Sequence, residues 1–188
     1  MRDLETMHKQ IVGITTTGKT RLAKLIAQEA ANRGRSVLVL DPNAGEWGKS
    51  RVYTDTDVFM HDCQTEESCL IFIDEAGEAL DKYDSAHNWL ATRSRHWGHQ
   101  VYFISQDALQ VARLIRDQCI EVMAFAQSRK AAETLAYDYN NDILLQTCNL
   151  KRGEFIHVRK LGDANFYRLD VKDGTIQELK IPVDTEKR

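Results

Sequence analysis

Several features common in proteins are scarce or missing in this sequence, and each shortage narrows what the chain can be. Only two prolines occur, Pro42 and Pro182, so no proline-rich linker divides the 188 residues. Four scattered cysteines, Cys63, Cys69, Cys119 and Cys148, form no C-x-x-C pair. That spacing excludes a disulfide framework, and free thiols in a reducing compartment are the expectation. The histidines around 87–99 are too irregularly spaced for a zinc site. No uninterrupted apolar run approaches the ~18 residues of a membrane span, and "MRDLETMHKQ" lacks the apolar run of a signal peptide. No internal repeat is visible. Nor is positive charge in excess: the net charge is −3. A monomer that coats nucleic acid over a broad basic face is therefore excluded, whereas a basic collar built by assembly is not.

What is present has the size and composition of one folded unit, with 43% hydrophobic and 28% charged residues. Apolar runs over 10–14, 36–41, 69–74, 100–105 and 120–126 predict strands buried on both faces. Helical spacing predicts helices over 19–33, roughly 75–96, 107–118 and 128–139 between or after them. Alternation of this kind implies a parallel sheet with crossover helices, in a core of about 8–140. Beyond about 150 the pattern changes. "EFIHVRKL" and "NFYRLDVKDGTIQELKI" alternate polar with apolar residues around Asp173-Gly174, a hairpin signal, so a β-rich antiparallel appendage over about 150–181 is expected. The long polar stretch 42–68 predicts an ordered loop or a short extra helix.

Chemistry concentrates in three places. "GITTTGKT" satisfies G-x-x-x-x-G-K-[ST] through Gly13, Gly18, Lys19 and Thr20, between a predicted strand and a predicted helix. Such a loop curls its amides toward phosphate oxygens. Lys19 is placed to reach the β- and γ-phosphates, and the Thr20 hydroxyl to meet Mg²⁺. Thr15, Thr16 and Thr17 fill the loop between the fixed positions. Next, "CLIFIDEAGEAL" runs an apolar strand into Asp74-Glu75. Asp74 at a strand tip is the candidate metal holder and Glu75 the candidate base for an attacking water, with a helix cap as the plainer alternative for both. Glu78 is expected to be a first-turn helix carboxylate. Third, "QVYFISQD" ends a strand in Ser105-Gln106. If that strand lies between the other two, Gln106 points at the γ-phosphate; otherwise Ser105 and Asp107 cap a helix.

Taken together, "GITTTGKT", "VLVLDPNAGEW", "LIFIDEAGEAL" and "ATRSRHWGHQVYFISQ" make residues 8–135 resemble the FtsK–HerA superfamily of P-loop ATPases. The resemblance is greatest to the genome-packaging ATPases of tailless, often membrane-containing viruses. It implies an α/β, RecA-like three-layer sandwich with a mainly parallel central sheet and a small antiparallel C-terminal extension. ATP and Mg²⁺ are the implied cofactors. The implied assembly is a homo-oligomeric ring, a hexamer or pentamer, that moves double-stranded DNA, with a viral capsid vertex as a docking partner and a cytoplasmic or virion-associated location. The resemblance also implies an arginine finger acting on the neighbouring subunit's nucleotide, with Arg95 the first candidate and Arg93 the second; Arg113, Arg116 and Arg129 compete. Lys49, Arg51 and Lys82 are the candidates for contacts to DNA phosphates. A nucleotide kinase and an ATP-gated assembly factor remain the rival readings. No motif marks the nucleobase pocket, for which the tail over 154–181 is the candidate.

Overall fold

The computed structural model describes residues 7–76, 85–160 and 162–180; Glu78 and Lys82 lie outside them. A strand β1 (His8–Val12) leads through the glycine-rich loop into α1 (Lys19–Asn32), then β2 (Val37–Leu40), β3 (Arg51–Tyr53) and α2 (Thr56–Thr65). The chain continues through β4 (Leu70–Ile73), α3 (Ser85–Thr92), β5 (Gln100–Ser105), α4 (Arg113–Gln118), β6 (Cys119–Ala124) and α5 (Arg129–Tyr139). Three antiparallel strands follow, β7 (Glu154–Arg159), β8 (Ala164–Leu169) and β9 (Ile176–Leu179). All nine strands form one sheet in the order β3-β2-β4-β5-β1-β6-β7-β8-β9. Strands β1 to β6 pair in parallel, and the last three continue the same sheet antiparallel. This is the α/β sandwich with a mainly parallel sheet that the sequence pattern implies.

The continuous apolar runs are explained by helices on both faces. Successive residues of β4 alternate between two cores: Leu70 and Phe72 pack with Leu22, Ala23 and Ala27 of α1, while Ile71 and Ile73 pack with α2, α3 and α4. Val12, Val122 and Ala124 join α5 in a third core. Such side chains each contribute about 1.5–3 kcal/mol when buried. Phe72 is held between Trp47 (ring centroids 5.7 Å apart) and Tyr102 (4.8 Å, stacked), so Trp47 packs in the core.

Three stretches hold structure beyond what the sequence pattern predicts. The stretch 42–68 holds the short helix α2, capped by the Asp55 carboxylate on the amides of Asp57 and Val58, but also an edge strand, β3, that its composition conceals. The helix expected over 107–118 is broken. A 3₁₀ turn at Ala108–Gln110, capped by Asp107, precedes α4, and the Arg116 guanidinium donates to the Val111 carbonyl between them. Finally, Asp142–Asn149 forms a 3₁₀ helix that no apolar period announces; it starts where Asn140 turns left-handed and Asn141 caps Ile143.

Candidate nucleotide site

Parallel pairing aligns the tips of β1, β5 and β6: Val12 sits level with Ser105 on one side and Ala124 on the other. β5 lies between β4 and β1, the condition on which Gln106 reaches the cradle. From that platform the loop 13–18 rises, pinned by the Gly13 amide on the Ser105 carbonyl (3.3 Å) and the Ile14 amide on the Ala126 carbonyl (2.9 Å). Gly13 has no alternative: a Cβ there would lie 2.5 Å from the Phe125 Cβ. Thr16 takes a left-handed backbone, φ 68°, which a β-branched residue adopts only where its surroundings enforce it.

The threonines do more than fill the loop. Thr17 is buried and its hydroxyl donates to the Ile14 carbonyl (2.7 Å), closing the curl. The Thr15 hydroxyl donates to Gln106 Oε1 (3.0 Å), linking the loop to the tip of β5. Lys19, buried at the first position of α1, donates to the same Ile14 carbonyl (3.0 Å). Burial lowers its pKa, while Asp74 and Glu75 pull the other way. α1 begins with no capping side chain and no acidic residue in its first turn. Its leading amides and the positive end of its dipole are therefore left for an anion.

The acidic pair stands opposite. Asp74 is 8% exposed, and the Thr20 hydroxyl donates to its Oδ2 (3.3 Å). Burial raises the Asp74 pKa, and the nearby Asp41 raises it further. Glu75 sits at φ 54°, in a turn clamped by the Asp74 amide on the Leu40 carbonyl and the Ala76 amide on the Ile104 carbonyl. A strained backbone held by both neighbouring strands is typical of catalytic turns. Lys19, Thr20, Asp74, Glu75 and Gln106, with Thr15 and Thr16, line one cleft of about 110 Å³. A hydroxyl and a buried carboxylate, close to a second carboxylate that needs a counter-charge, fit a hard divalent cation such as Mg²⁺. The unclaimed amides and Lys19 fit a polyphosphate.

Asp41 escaped the reading of motifs, although it ends an apolar run just as Asp74 does. Buried at the tip of β2, it accepts from the amides of Asn43 (2.9 Å) and Gly45 (3.0 Å) and from the Trp47 indole (2.9 Å). It thus shapes the loop beside Asp74.

The arginines lie elsewhere. Arg93 and Arg95 are exposed, in the 3₁₀ turn that precedes β5. They sit at the opposite end of β5 from Gln106, roughly 17 Å of strand away. Gly98 makes that turn possible, with φ 76° and room only for a hydrogen, since a Cβ would lie 2.9 Å from the Ser68 hydroxyl. Of their competitors, Arg116 is tied to Asp138 (2.7 Å), while Arg113 and Arg129 pair on the surface with Asp117 and Glu133. Arg51 is engaged by Glu66 and Asp62, whereas Lys49 is exposed. His99 is a core residue that accepts from the Cys69 amide and bonds the Cys63 carbonyl, and among the described residues no group of three or more His, Cys, Asp or Glu could hold a metal ion. The cysteines are free thiols.

With this geometry in place, a family model described as Helicase HerA, central domain, matches residues 2–165. The chain belongs to that family. It is a HerA-like ATPase domain of the FtsK–HerA superfamily. Among solved structures, the genome-packaging NTPase B204 of Sulfolobus turreted icosahedral virus 2, in complex with AMPPCP, superposes with a TM-score of 0.70 at 17% identity, over 95% of this chain and 99% of that one. The pCW3 conjugation coupling protein TcpA gives 0.65 at 16%, over 87% of this chain and 60% of that one. VirB4 of Thermoanaerobacter pseudethanolicus gives 0.63 at 11%, over 95% and 90%. No curated protein sequence matches. At such identities the likeness speaks for the HerA-type fold. No helix among the described residues is long and apolar enough to cross a membrane.

Proposed function

We propose that the chain is an ATP-hydrolysing subunit of a homo-oligomeric ring that moves double-stranded DNA, with viral genome packaging as its setting. One observation carries the reading: a phosphate loop, a buried metal-type carboxylate, a strained glutamate and a glutamine from three adjacent strands converge on one cleft. A nucleotide kinase has little use for a base beside its metal-holding aspartate, which favours hydrolysis.

In this mechanism the loop amides and Lys19 hold the β- and γ-phosphates. Thr20 and Asp74 would hold Mg²⁺, whose charge would offset that building on the phosphoryl oxygens. Glu75 accepts the proton of the attacking water. Gln106, restrained by Thr15, senses the γ-phosphate and orients that water. Because Arg95 and Arg93 lie at the far end of β5 from their own cleft, either acts only on a neighbouring subunit's nucleotide, which is why the ring is part of the proposal. DNA would be held through phosphates alone, by a collar to which Lys49 contributes.

The test is phosphate release with and without duplex DNA, together with solution mass in the presence of nucleotide. DNA-stimulated, Mg²⁺-dependent release by an oligomer is expected. Phosphoryl transfer to a small acceptor by a monomer would replace this reading with a kinase, and nucleotide binding without turnover would replace it with an ATP-gated assembly factor.

A further inference from the structure

We propose that Thr15 is a positioning residue that sets the preference for a triphosphate over a diphosphate. Its hydroxyl ties down the carbonyl end of the Gln106 carboxamide, so that the amide end faces the γ-phosphate. This deepens the reading of the cleft as an ATP site and rests on it.

The loop is anchored on both sides of its crest. Before the crest, the Gly13 and Ile14 amides hold it to the tips of β5 and β6. After the crest, the Thr17 hydroxyl bonds the Ile14 carbonyl and the Gly153 amide donates to the Thr17 carbonyl (3.0 Å). The strands that bring Gly153 also lay their β8–β9 turn on α1, where a Cβ at Gly174 would meet the Arg21 guanidinium at 2.9 Å. Thr15 and Thr16 form the exposed crest between these anchors. The left-handed backbone of Thr16 costs about 1–2 kcal/mol, so a tie at its neighbour steadies the whole crest. The Thr15–Gln106 bond (3.0 Å) is that tie.

Gln106 is fixed at its backbone as well. Ser105 before it is buried, its carbonyl accepting from Gly13 and its hydroxyl donating to the Asp107 carbonyl (3.0 Å). Asp107 after it accepts from the Leu109 amide (2.8 Å). With the backbone held and Oε1 taken by Thr15, the planar carboxamide has one orientation left. Nε2 then points away from Thr15.

A carboxamide is an acceptor at one end and a double donor at the other. Asp74 and Glu75 already crowd the cleft with acceptors, and a carbonyl aimed at a phosphate oxygen would add to the repulsion. An N–H in that place donates instead, and hydrogen bonds to charged oxygens are the strong ones. The γ-phosphate is the group that ATP has and ADP lacks. Thr15 therefore governs discrimination between them through Gln106. Bracing of the loop alone would predict equal losses for both nucleotides.

The experiment measures calorimetric binding of ADP and of β,γ-methylene ATP, both with Mg²⁺, to the full chain. The unaltered protein should prefer the triphosphate. Thr15→Val, which keeps the shape and removes the hydroxyl, should weaken the triphosphate about tenfold and ADP by less than about twofold. Thr15→Ser should restore the preference. In a Gln106→Ala background, Thr15→Val should change nothing further. No preference in the unaltered protein, equal losses for both nucleotides, failure of serine to rescue, or additive effects would each overturn the proposal. Should Thr15→Val not fold, Thr15→Ala takes its place in the same cycle. Phosphate release separates the two readings: an unaltered protein that prefers the triphosphate yet releases no phosphate ends the hydrolytic reading, while Thr15 is still judged by the cycle.

Discussion

Two buried carboxylates, Glu121 and Asp74, show how differently one sheet treats charge at its two ends. Glu121, 2% exposed on β6, is completed by the protein itself. Lys9 (2.9 Å), His157 (3.0 Å) and Arg159 (2.8 Å) surround it. Burial alone would raise its pKa, but His157 and Lys9 hold it down to about 2. Asp74 has a threonine hydroxyl and two acidic neighbours, and its pKa is pushed up by burial and by Asp41. A matched charge of the first kind stabilises the fold. An under-matched one of the second kind costs stability, and in the proposed mechanism a cation would supply the missing charge.

That contrast can be broken in order of effect. The largest change is expected from Arg95→Ala, at the Glu121 end of the sheet. If this arginine serves a neighbour's cleft, turnover should fall about 10³–10⁵-fold with nucleotide affinity intact. Mixing with Lys19→Ala subunits, which still carry Arg95, should restore part of the activity. No rescue, with Arg93→Ala equally silent, would remove the finger from this segment. Next comes Glu75→Gln, which should bind ATP normally and lose about 10²–10⁴-fold in turnover, read by phosphate release. Full hydrolysis by that variant would unseat Glu75 as the base.

Glu121→Gln should do the reverse, leaving turnover per folded molecule unchanged while lowering stability by about 2–4 kcal/mol at pH 7. Because the Glu121 pKa drops from 4.5 to about 2 on folding, its contribution is complete above pH 4.5 and fades as pH falls toward 2. The gap between the variant and the unaltered protein in denaturant melts should therefore close over that window. The smallest effect belongs to Asp41→Asn, which keeps the size of the side chain. By removing a negative charge near the phosphate loop it should lessen repulsion of the phosphates and raise Mg²⁺-free nucleotide affinity by about two- to threefold; unchanged affinity would show that Asp41 acts on the loop alone.

The two ends were also unequally legible in the sequence. Loop 13–20 was readable because its backbone geometry imposes glycine at fixed offsets, and Asp74-Glu75 because a buried strand advertises its own tip. The parallel core followed from apolar runs for the same reason. The Thr15–Gln106 bond joins residues 91 apart and leaves no local trace. β3 is exposed on two of its three residues, so no apolar run marks it. The Glu121 cluster draws on β1, β6 and β7 and becomes visible only when the sheet order is known. The seam between the β8–β9 turn and α1 is hidden likewise, since it exists only once those strands turn back.

That return has a consequence for how the protein comes into being. The cradle sits near the start of the chain, yet its brace, Gly153 on Thr17, arrives about 135 residues later. During synthesis the phosphate loop therefore emerges long before the strands that hold it. Pinned by then to the tips of β5 and β6, it lacks this last brace until the antiparallel half pairs with β6. Nucleotide would then bind preferentially to the finished chain, and its binding would act as a late check on folding, withheld from any partial chain that lacks its last strands.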